Sequence, residues 1–184
     1  MQEKVVRHMT SGMEIKAKRR QMYGKEIKSF LIRLILFLIV LFILFGLVFG
    51  IRPMKNNDMS PRISAGDLLL YYRLQQTYQP QEVIIFEKEE QMYTGRIVAR
   101  GGDSVVITED SKLQVNGSIV MENEIYYKTP QYEDGIKYPC NLEENQYFVL
   151  CDFREGAKDS RIFGPVDKSE IKGNVITVIR RSGL

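Results

Sequence analysis

Residues 34–51 are apolar or glycine without a break, and no other stretch of the chain restricts its fold as strongly. Wound as an α-helix at roughly 1.5 Å per residue, the run nearly crosses a hydrocarbon core of about 30 Å. Phe30, Leu31 and Ile32 complete the crossing, with Arg33 reaching back toward the interface. A helix of a soluble domain would carry a polar face, and this run has none. A removable leader has a shorter apolar core and a small-residue cleavage site, whereas Arg52-Pro53-Met54-Lys55 follows here. The expectation is a retained transmembrane anchor over residues 30–51, with a basic tail over 1–29 before it and one extracytoplasmic domain over 52–184 after it.

Charge orients that anchor. Residues 1–33 hold nine Lys or Arg against three Glu, a net of +6, and the remainder of the chain is net −3. Positive charge stays on the cytoplasmic side, which predicts a single-pass plasma-membrane protein with its N-terminus in the cytoplasm and its C-terminal domain outside. The overall +3 therefore belongs to the tail and gives no support to nucleic-acid binding. The tail itself reads as a topology determinant without a fold of its own. The two cysteines, Cys140 and Cys151, flank a turn at residues 143–146. Their spacing leaves both a disulfide across a hairpin and two unpaired thiols open.

After the anchor, β-branched and aromatic residues cluster in short runs that predict strands at Leu68–Tyr72, 83–86, 96–99, Ser104–Ile107, 125–128, 147–150 and 175–179. Asn116-Gly117 between 112–115 and 118–120 predicts a two-residue hairpin, because both positions tolerate positive φ. No three-turn amphipathic helix follows the anchor. The fold class expected is mainly β, an antiparallel sheet domain preceded by one N-terminal transmembrane helix.

Several chemistries are excluded by composition. The only histidine is His8, in the tail, so no Ser-His-Asp or Cys-His site can be assembled outside the membrane. Too few Cys and His remain for a zinc site, and no phosphate-cradling glycine loop is present, so neither a metal nor any other cofactor is expected. A serine hydrolase without histidine needs another base, and a desolvated lysine is the usual substitute.

Four segments bear on that scheme. Asp58-Met59-Ser60-Pro61 with Gly66-Asp67 resembles the S-M-x-P…G-D box of type I signal peptidases, in which serine is the nucleophile. Residues 80–86 are similar to the family's R-G-D-x-V-x-F strand, with the polar half changed. Gly95-Arg96, followed by Gly101-Gly102-Asp103-Ser104-Val105, resembles K-R-x-x-G-x-P-G-D-x-V. Cys151-Asp152-Phe153-Arg154 with Ala157, Asp159-Ser160-Arg161 and Gly164 resembles G-D-N-R-x-x-S-x-D-S-R-x-x-G. The resemblance implies a signal peptidase I-like antiparallel β domain. Its register, fixed by Met59 and Pro61, puts Asp58 at the nucleophile position, Gly95 at the general-base lysine and Ala157 at the serine that orients that lysine.

All three cooperating positions are thus altered, and glycine offers nothing that accepts a proton. Ser60, two positions along, with Lys88 or Lys158 approaching it, is one conceivable substitute, although the Met59 and Pro61 register points Ser60 away, and a carboxylate pair of Asp58 with Asp152 is the other. For Asp152, Arg154, Asp159, Ser160 and Arg161 the favoured role is a structural ion-pair and turn network, and for Gly66-Asp67 and Gly102-Asp103 it is turn punctuation.

In the resembling family the substrate lies extended between the segment entering the nucleophile and the strand entering the lysine. Here those segments map to Pro53, Met54, Asn56 and Asn57 and to Met92, Tyr93 and Thr94, the candidate peptide groove. Signal peptidase-like proteins without the dyad occur in Gram-positive pilus clusters, where sortase polymerises pilin. The resemblance therefore implies a non-catalytic factor with pilin subunits, and a pilus sortase, as partners. The competing reading is a working signal peptidase with an unorthodox catalytic pair.

Overall fold

The computed structural model describes residues 2–180. It divides into an N-terminal helical unit, residues 1–46, and a β unit from residue 47 onward. In the first, α1 (Gln2–Ile43) runs for 42 residues and ends in a π-helical turn at Leu44–Val48. Tyr23–Val48 is long and apolar enough to cross a bilayer. The basic stretch expected to lack structure is helical too. Residues 14–22 are almost all strong helix formers, and extending an existing helix needs no new nucleus.

The first strand, β1 (Phe49–Pro53), starts at once after the π turn, so Phe49, Gly50 and Ile51 are strand residues and not the last turn of the span. Gly50 shows why the chain must pair there: a Cβ at this position would lie 2.2 Å from Cζ of Tyr71. Only glycine lets the Tyr71 ring lie against the backbone of β1.

The other strands are β2 (Leu68–Tyr72), β3 (Val83–Lys88), β4 (Gln91–Arg100), β5 (Ser104–Ile107), β6 (Leu113–Val115), β7 (Ser118–Ile119), β8 (Cys140–Asn141), β9 (Gln146–Leu150), β10 (Val166–Asp167) and β11 (Ile171–Ile179). They form a seven-stranded sheet in the order β1-β2-β11-β3-β4-β9-β10 and a four-stranded sheet in the order β7-β6-β5-β8. Every pairing is antiparallel. Alternation along each strand feeds separate cores. On β9, Tyr147 and Val149 join Ile84, Phe86 and Ile97, while Phe148 and Leu150 join Val105, Ile107 and Leu113 beside the small sheet. A third cluster holds Met54, Met59, Leu69, Tyr71, Ile85, Cys151 and Ala157.

The expected hairpin is present, with Asn116 at φ 53° and Gly117 at φ 78° between β6 and β7. The strand expected at 125–128 is not. That segment pairs with no strand among the described residues. It is held residue by residue, with Tyr127 edge-on to Phe153 at 4.8 Å and the Thr129 amide donating to Ser111 O. A fragment with β propensity and no partner edge stays irregular. The cysteines lie in different sheets' surroundings: Cys140 in β8 pairs with Val105, Cys151 follows β9 in the large sheet's core, and both thiols are free.

Candidate functional site

Asp58 sits in the turn between β1 and β2 and is half-buried. Its Oδ2 accepts from Asn56 Nδ2 at 2.5 Å, and its carbonyl accepts the Phe153 amide at 2.8 Å, which binds the first box to the last. Met59, fully buried next to it, anchors the turn in the core beside Ala157 and Cys151. Burial raises the pKa of the Asp58 carboxyl from its ordinary value; the Asn56 hydrogen bond opposes this and the charge of Asp159 adds to it. A carboxyl raised in the folded state penalises stability at pH values above its folded pKa, and the penalty vanishes below its ordinary value. Asp58→Asn is therefore expected to raise the melting temperature at neutral pH, with the gain over the native protein fading below about pH 4. Thermal melts of both proteins across that range check this, and an acid-independent difference would contradict it.

The lysines and the carboxylate that the sequence offers as alternative groups are committed elsewhere. Lys88 Nζ donates to both oxygens of Glu170 at 2.8 Å and to Pro165 O. Lys158 bonds Glu89 Oε2 at 2.9 Å, and that bond raises its pKa, the wrong direction for a base at neutral pH. Asp152 is clamped by Arg96 through two bonds of 2.8 and 2.5 Å, and no hydrogen bond joins it to Asp58. Ala157 is 1% exposed among apolar side chains, and its carbonyl accepts from Tyr132 Oη at 3.0 Å.

Gly95 lies in β4 opposite Ile84. A Cβ built there would stand 2.6 Å from Val149 Cγ1, 3.3 Å from Leu150 O and 3.5 Å from Phe86 Cε1. The position lacks a base, and its side-chain volume is already filled from β9.

The box residues expected to be structural form turns and buried ion pairs. Asp67 Oδ2 accepts the Ser64 amide, and Gly66 takes φ 95°. Gly102 takes φ 89°, and Asp103 accepts the Arg100 amide and Asn116 Nδ2. Arg154 and Arg161 are fully buried. Arg154 reaches Glu122, Thr129 and Cys151 O; Arg161 makes a two-pronged pair with Asp159. Asp159 also caps α2 (Ser160–Phe163), and Ser160 Oγ accepts the Val149 amide.

One cleft of about 770 Å³ gathers Met54, Asn56, Asp58, Met92, Tyr93 and Thr94, together with Ile51, Arg52, Lys55, Tyr71, Glu90 and Gln91. Pro53 and Asn57 are outside its lining. β9 begins to pair with β4 only at Arg96, so residues 91–95 are paired to β3 alone and present an open edge to the cleft. Ile97 exchanges both its backbone bonds on the β3 side, so alternation turns the N–H and C=O of Thr94 and Met92 toward the open side. Arg52 Nη2 donates to Met92 O there at 2.7 Å, a contact for which the sequence held no signal. Among the described residues no group of three or more His, Cys, Asp or Glu could hold a metal ion.

The sequence matches the family described as "Signal peptidase, peptidase S26" over residues 27–179. The chain belongs to the signal peptidase S26 family. Among relatives, the "Inactive signal peptidase IA" of Staphylococcus aureus strain Mu50 is 30% identical over 162 residues, covering 82% of this chain and 90% of its own. The "Signal peptidase IB" of Staphylococcus aureus strain COL is 27% identical over 169 residues, covering 82% and 88%. A solved signal peptidase I of Enterococcus faecalis V583 is 25% identical, covering 55% of this chain and 98% of that one, with a TM-score of 0.46. A signal peptidase I-like β fold behind one apolar helix of membrane-spanning length is thus the architecture of this S26 member.

Proposed function

We propose that this S26 member is a non-catalytic, membrane-anchored signal peptidase-like factor that holds an extended segment of a pilin and assists sortase-dependent pilus assembly. The observation that carries the first half is position 95: glycine accepts no proton, and Val149 occupies the volume in which a base would sit. Asp58, at the nucleophile position by the family's register, is served by neither Lys88 nor Lys158, each of which is held by a glutamate. The relative named as inactive, 30% identical to this chain, supports the same reading. The cleft, with its open β4 edge, supports retained binding of an extended peptide by strand addition. The basic tail supports an orientation with the β domain outside the cell.

Two experiments test it. Full-length protein in nonionic detergent is expected to leave signal-peptide substrates uncut above background. Cleavage that Asp58→Ala abolishes would overturn the non-catalytic assignment. In cells, Asp58→Ala and Thr94→Pro are each expected to shorten pilus polymers while circular dichroism of the purified variants stays native. Proline at 94 removes an N–H that faces the cleft and spares the bonds to β3. Normal polymers from both folded variants would refute binding in the cleft.

A further inference from the structure

Four acidic side chains that pack into the body of the β domain have cations on them. Asp152 has Arg96, Asp159 has Arg161, Glu122 has Arg154 and Glu170 has Lys88. Among the described residues none stands within ion-pair reach of Asp58, although it is half-buried and only one of its oxygens is engaged, by a neutral amide. The cleft's own cations do not fill the role. Arg52 is spent on the carbonyl of Met92, and Lys55 is exposed to solvent. A carboxylate withdrawn from water without a counter-charge is costly to keep, and a charged donor from outside would bind it with about twice the strength of a neutral one.

We propose that the cleft selects an extended segment bearing a lysine or arginine, whose cation pairs with Asp58 while its backbone adds to the open edge of β4. The two halves of that recognition are separate in chemistry. The N–H groups of Met92 and Thr94 supply sequence-independent main-chain bonds, their carbonyls being engaged by Arg52 and by the Cys151 thiol, and Asp58 supplies the side-chain preference. The inference rests on the peptide-cleft reading above and specifies its ligand.

The test uses full-length protein in nonionic detergent and capped, fluorescein-labelled alanine-based peptides that differ at one central residue, Lys, Gln or Glu. Fluorescence anisotropy is expected to give the Lys peptide roughly tenfold tighter binding than the Gln peptide, with the Glu peptide weakest. Asp58→Asn should abolish the difference between Lys and Gln, and Asp58→Lys should turn the preference toward Glu. Because the comparison among peptides is made on the native protein, it holds even if a variant misfolds. Equal affinities for all three peptides would overturn the charge preference and leave the cleft reading standing. Binding by none of them would overturn both.

Discussion

Arg161→Ala is expected to cost about 3–5 kcal/mol of stability, the largest effect of any single side chain in the β domain. Arg161 is fully buried. It grips Asp159 through Nε and Nη2, each at 2.8 Å, and satisfies the carbonyls of Arg154 at 2.7 Å and Pro130 at 3.2 Å through Nη1. Its guanidinium also lies 4.4 Å from the ring centre of Tyr132. Truncation leaves Asp159 charged and enclosed, and Asp159 is also the cap of α2 and the acceptor for the Cys151 amide. The loss therefore spreads from an ion pair to the whole last box. Urea unfolding of the full-length protein, followed by near-ultraviolet dichroism, measures it. The exposed Arg62–Glu124 pair is the control, and Arg62→Ala should stay within about 0.5 kcal/mol. A cost for Arg161→Ala as small as the control's would refute the argument.

The second large effect concerns Gly95. On the proposed register, Asp58→Ser, Gly95→Lys and Ala157→Ser together supply the family's reacting groups, yet they are expected not to confer cleavage. A lysine at 95 must push Val149 Cγ1 from 2.6 Å, and its backbone neighbour Leu150 O cannot retreat without breaking the pairing of Arg96 with Leu150. Overpacking of this kind costs about 1–3 kcal/mol and displaces the very group being added. Val149→Ala in the same background makes room, so the four-fold variant should be both more stable than the sum of its changes predicts and the first to cut a fluorogenic signal peptide. Cleavage by the three-fold variant with Val149 intact would show that the site yields more readily than its packing indicates.

The contrast between these residues explains what the sequence made legible. Leu68–Tyr72 and Ser104–Ile107 announce themselves because each alternates or crowds β-branched and apolar residues between turn signals, and both are strands with those bounds. Phe49, Gly50 and Ile51 do not, because a strand and a membrane helix draw on the same apolar residues and a short run has no period that separates them. Residues 125–128 look like a strand and are not one, since β propensity becomes structure only where a free edge waits. β8 and β10, of two residues each, are too short to carry any pattern.

Of the residues that box register groups into a groove, Met54, Asn56, Asp58, Met92, Tyr93 and Thr94 line one cleft, and Pro53 and Asn57 do not. Arg52, Tyr71 and Glu90 were beyond that reasoning, because they arrive from the sheet's curvature and not from any motif. Gly95 reads in sequence as an omission. In three dimensions it is a requirement, and only the position of Val149 on the neighbouring strand reveals the difference.

The unequal enclosure of the two thiols has a practical use. Cys151 is 1% exposed in the core, whereas Cys140 lies half-exposed on the small sheet, and burial raises both thiols above their ordinary pKa. The native chain therefore carries a single maleimide-accessible position in its β domain, slow at neutral pH and faster in mild alkali. A membrane-impermeant maleimide added to intact cells reports directly which side of the bilayer that position occupies, without any engineered cysteine or fused reporter.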